Sequence, residues 1–150
     1  MIDINSLLNI LFLSFLGPVE NRPNLKFLDV SGIDARAGFL NFFKKNSQKW
    51  PLKELSVSTQ RIDFSSEEIF VPFIKEIVLG NSNLEILDLS RTNIDGPEIL
   101  LLLRAAEKEL KSINFSVNFS GCFGSPRGWR RKVHRKEFKK LIKILEGIAD

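Results

Sequence analysis

The chain has 150 residues, with 22 Lys plus Arg against 18 Asp plus Glu and one His, for a formal charge of +4. At 43% apolar and 27% charged it has the make-up of a globular protein, which excludes disorder throughout and a collagen-like chain. A single cysteine, Cys122, and a single histidine, His134, exclude a disulfide framework, a Cys/His zinc site and a multi-histidine metal centre, and favour a reducing, cytoplasmic setting.

The first element is the apolar stretch from Ile2 to Leu16. It is shorter than the roughly 20 apolar residues of a membrane span, and no cation precedes it, the first being Arg22, so a packed helix is favoured over a signal or a membrane contact. Ile4, Leu7, Leu8, Leu11 and Phe15 line one helical face, but Ile10, Phe12, Leu13 and Leu16 make others apolar too. Residues 1–24 therefore read as a cap covered by another chain, a route to self-association, or as the remnant of a preceding repeat.

From residue 25 one pattern occurs four times, Leu-x-x-Leu-x-Leu followed by Ser. The copies are Leu25, Leu28, Val30, Ser31; Leu52, Leu55, Val57, Ser58; Leu84, Leu87, Leu89, Ser90; and Leu110, Ile113, Phe115, Ser116. Their starts lie 27, 32 and 26 residues apart, room for one short strand and one helix each. Alternation inside each copy, as in Leu87-Asp88-Leu89, is that of a strand with one buried face. Between copies the period turns helical: Phe39, Leu40 and Phe43; then Ile69, Phe70, Phe73, Ile74, Ile77 and Val78; then Ile99, Leu100, Leu103 and Ala106. Ser65-Ser66-Glu67-Glu68 predicts a capping box for the second helix, and Asp95-Gly96-Pro97-Glu98 an N-cap with proline in the first turn for the third. Pro72 predicts that the second helix starts late or kinks.

These repeats resemble the leucine-rich repeat family, and their length with helical connections is similar to the ribonuclease-inhibitor type. The resemblance implies an α/β fold: a short curved solenoid over 25–118, with parallel concave strands, convex helices and a helical cap at each end. It also implies an asparagine three residues after the third apolar position. That slot holds Ile33, Gln60, Thr92 and Asn118, so only the last copy conforms and the ladder is expected to be weak. In this family the concave face binds partners. Its third-position side chains here are Phe27, Glu54, Ile86 and Ser112, and its fifth-position ones Asp29, Ser56, Asp88 and Asn114. Phe27 and Ile86 are the candidate anchors in a mildly acidic strip. The serine column is read as structural, setting turns through nearby backbone.

Residues 119–150 change character, with a glycine-containing loop from Ser120 to Trp129 and then a basic amphipathic helix. Arg127, Arg130, Arg131, Lys132, Arg135, Lys136, Lys139, Lys140 and Lys143 stand against Glu137 alone, a net +8 over 127–143, whereas residues 1–126 carry −2. Val133, Phe138, Leu141, Ile142, Leu145 and Ile148 supply an apolar stripe that closes the last repeat. The cations are either a solubilising cap or a site for anionic lipid, an acidic protein surface or another polyanion; with one adjacent aromatic, Trp129, nucleic acid is disfavoured. Cys122 and His134 lack the partners of a catalytic constellation. The sequence thus predicts a protein-binding module of the cytoplasm, of the kind found in a cytoskeletal or signalling scaffold, with no catalytic residues, metal or cofactor. Polyanion binding through 127–143 is the alternative, and a thiol-dependent activity at Cys122 a remoter one.

Overall fold

The computed structural model describes residues 24–31, 50–58, 64, 66–81, 83–110, 114–122 and 132–149. The N-terminal helix expected over 2–16, the helix expected around Phe39 to Phe43, and Ser112, Arg127, Arg130 and Arg131 lie outside these residues.

Among the described residues five short strands form one sheet in sequence order: β1 (Phe27–Asp29), β2 (Glu54–Ser56), β3 (Ile86–Asp88), β4 (Ser116–Asn118) and β5 (Lys132–His134). The first four are mutually parallel and β5 joins β4 antiparallel, giving a mostly parallel mixed sheet in an α/β fold. Register aligns Leu28, Leu55, Leu87, Val117 and Val133 in one central row. Leu28 is half-buried and the other four are buried in the core that the helices share. Each fully buried Leu or Val in such a row stabilises the fold by about 1.5–3 kcal/mol.

Three α-helices pack on this row: α1 (Glu67–Pro72), α2 (Gly96–Glu109) and α3 (Phe138–Ala149). The first does not take the late start that Pro72 suggests: it begins at Glu67 and contains Pro72, after which its geometry changes. A proline nitrogen has no hydrogen to give the carbonyl four residues back, and its ring crowds that carbonyl. The chain widens after it into a π-helical segment, Phe73–Val78, where the Leu79 N–H donates five residues back to the Ile74 carbonyl at 2.9 Å. The capping box predicted for this helix does not form. Its N-cap is Ser66, whose side chain makes no cap bond, so that Ile69 and not Glu68 occupies the third helical position. At α2 the box is complete: the Asp95 side chain accepts from the Glu98 N–H, and also from the Gly96 N–H at 2.7 Å, while Glu98 Oε2 accepts from the Asp95 N–H at 3.2 Å.

Phenylalanine fills the layer beneath the sheet. Phe64, Phe70 and Phe73 form one aromatic cluster with ring centroids 5.0 to 6.1 Å apart, and Phe115 meets Phe138 edge to face at 6.0 Å. The second pair ties the last parallel repeat to α3.

One strand lies elsewhere than predicted. The fourth copy places its strand at Ile113 to Phe115, but β4 begins at Ser116, and Val117 aligns with Leu87. Leu110 explains the shift. Helix α2 runs 14 residues, and Leu110 closes it, donating its N–H to the Ala106 carbonyl at 3.0 Å, so it does not open the next strand. The working fourth copy is Asn114, Val117, Phe119 and Ser120, which lacks an apolar first residue and therefore escapes the pattern. A second difference concerns the C-terminal element: Lys132–His134, expected to belong to the basic region's helix, is strand β5, followed by a 3₁₀ turn (Arg135–Glu137) and then α3.

Candidate functional site

Side chains flanking the central row point away from the helices and form two parallel rows on the open face. Across β1 to β5 the first row is Phe27, Glu54, Ile86, Ser116 and His134, and the second is Asp29, Ser56, Asp88, Asn118 and Lys132; Ser116 is itself buried, its hydroxyl donating to the Glu85 carbonyl at 3.4 Å. The structure therefore brings together six of the eight predicted partner-binding residues, Phe27, Asp29, Glu54, Ser56, Ile86 and Asp88. These six line a shallow depression of about 280 Å³. Asn114 is not in the strand; it is exposed in the turn before β4, and the face positions assigned to Ser112 and Asn114 belong to Ser116 and Asn118. Lys132 and His134 join the same face from the far edge. The sequence pattern groups Lys132 with the basic helix, whereas it lies in β5.

The ends of the strands explain why acidic and amide side chains recur there. Asp29 Oδ1 accepts the Ser31 N–H at 2.8 Å, Asp88 Oδ1 accepts the Ser90 N–H at 2.9 Å, and Asn118 Oδ1 accepts the Ser120 N–H at 2.9 Å. Each is a turn made by a side chain bonding backbone two residues on. The turn is thus set by the fifth-position Asp or Asn, and not by the serine hydroxyl. In the first two repeats serines link neighbouring strands: Ser31 Oγ and Ser56 Oγ share a hydrogen bond of 2.7 Å, Ser58 Oγ donates to Ser31 Oγ at 2.8 Å, and the fifth-position Ser56 Oγ donates to Asp88 Oδ2 at 3.3 Å. Hydrogen bonds from the Ser31 side chain and backbone hold the Asp29 carboxyl below its ordinary 3.8, against a smaller upward push from burial and with further help from Ser56.

After the turn the backbone enters the left-handed region at Arg91 (φ 57°) and at Gly121 (φ 75°), equivalent positions in adjacent repeats. A Cβ on Gly121 would stand 3.1 Å from Arg91 Cγ, so glycine serves there both the conformation and the close approach. Three residues beyond the third apolar position lie Thr92 and, in the corrected register, Cys122. Both are buried; Thr92 Oγ1 donates to the Leu89 carbonyl at 2.7 Å, and Cys122 Sγ donates to the same carbonyl at 3.1 Å and lies 3.5 Å from Thr92 Oγ1. They occupy the slot where the family resemblance implies asparagine, and this buried thiol is engaged with the turn backbone.

Comparison with protein-family models, with curated proteins and with solved structures gives no match. The site must be read from its own geometry.

Among the described cations of the C-terminal element, Lys132, Lys136, Lys139, Lys140 and Lys143 are exposed and Arg135 is half-buried. Lys139 faces Glu107 of α2 at 3.7 Å, and Arg135 donates to the Glu107 carbonyl at 3.4 Å. Arg104 and Glu146 add an exposed ion pair at 2.7 Å between α2 and α3. Part of the positive charge thus docks α3 onto α2. His134 begins the 3₁₀ turn, its N–H donating to Glu137 Oε1 at 3.3 Å. Among the described residues no group of three His, Cys, Asp or Glu side chains is placed to hold a metal ion, and no helix is long and apolar enough to cross a membrane.

Proposed function

We propose that the chain is a short array of leucine-rich-type repeats, curved into a solenoid, that binds a protein partner on its open sheet face without catalysis. The observation that carries this reading is Phe27, a large apolar side chain 61% exposed on β1, two strands from Ile86 in a depression that the hydrogen-bonded Asp29, Ser56 and Asp88 also line. Apolar anchors inside a polar surround are how interfaces concentrate binding energy. The face is stiffened in advance by its side-chain turns and serine links, which lowers the entropy lost on binding. A cytoplasmic scaffold role accords with the buried, unbridged Cys122.

A second reading rests on the exposed lysines Lys136, Lys140 and Lys143 of the C-terminal element, which suit anionic lipid or an acidic protein surface. Affinity capture from a cell extract separates the two. Proteins retained by the wild type should be lost with Phe27→Ala and Ile86→Ala and kept with Lys140→Glu and Lys143→Glu. The opposite pattern, with salt-sensitive binding to anionic vesicles, would replace the first reading by the second.

A further inference from the structure

We draw no further inference here: the strongest candidate, the shallow depression of the open face over β1 to β3 around Phe27, Glu54 and Ile86, belongs to the site already described, and nothing in the described residues shows what covers it.

Discussion

The parallel part of the sheet and its antiparallel edge are built by different devices, and the contrast bears on the charge of the face. Each of β1, β3 and β4 ends in a turn that needs a carboxylate or amide oxygen two residues before the amide it accepts, which places Asp29, Asp88 and Asn118 on the open face. Strand β5 has no such turn. It passes at His134 directly into the 3₁₀ turn and α3. The carboxylates of β1 and β3 on this face thus follow from turn chemistry. Burial differs less: Val133, Phe138, Leu141 and Leu145 join the same core as the leucines of the parallel strands.

If the antiparallel edge and α3 are as integral to the fold as the parallel strands, substitutions in both should reduce stability in one cooperative transition. The largest effect is expected for Phe138→Ala, about 3–5 kcal/mol, since the ring is fully buried against Phe115. Leu87→Ala, in the middle of the central row, should follow at about 2–5 kcal/mol. Denaturant titration read by circular dichroism checks both. A biphasic transition in Phe138→Ala alone would mean that the C-terminal unit unfolds separately, breaking the comparison.

The turn chemistry is sharpened by Asp88→Ala and Asp88→Asn. The alanine variant leaves the Ser90 N–H without its acceptor and should cost about 1–3 kcal/mol, whereas asparagine, which does this work at position 118, should retain most of the stability. Asp29 adds a pH dependence of known sign. Its carboxyl is held below 3.8 in the fold, so its contribution is present above that value and is lost as the pH falls through the lower folded one. Stability measured between pH 5 and pH 2 should fall less steeply in Asp29→Asn than in the wild type. The smallest effect belongs to Arg104→Ala, which removes an exposed ion pair and should change stability by no more than about 1 kcal/mol, less at high salt.

Much of this architecture was legible in the sequence because three of the four repeats carry complete apolar patterns. Leu28, Leu55 and Leu87 align as their spacing predicts, and six face residues follow from that alignment. The fourth repeat was misread by four residues because Leu110, Ile113 and Phe115 complete the apolar pattern better than Asn114, Val117 and Phe119 do. Leu110 is instead taken by the end of α2, a tertiary demand that a local pattern does not contain. One signal was available: Val117-Asn118-Phe119-Ser120 repeats the form of Leu28-Asp29-Val30-Ser31, with the turn-forming side chain two residues before the serine. Strand β5 gave almost none, since Lys132-Val133-His134 holds a single apolar residue and its pairing with β4 is not local. The role of Cys122 became visible only once the register had moved and brought it beside Thr92.

The claim that the open face, and not the basic helix, is the recognition surface is tested most directly by amide NMR of the labelled protein titrated with a protein that affinity capture retains. Shift changes are expected along β1 to β3, largest around Phe27, Glu54 and Ile86, with the amides of Lys140 and Lys143 unmoved. Changes confined to α3 with a silent sheet would contradict it.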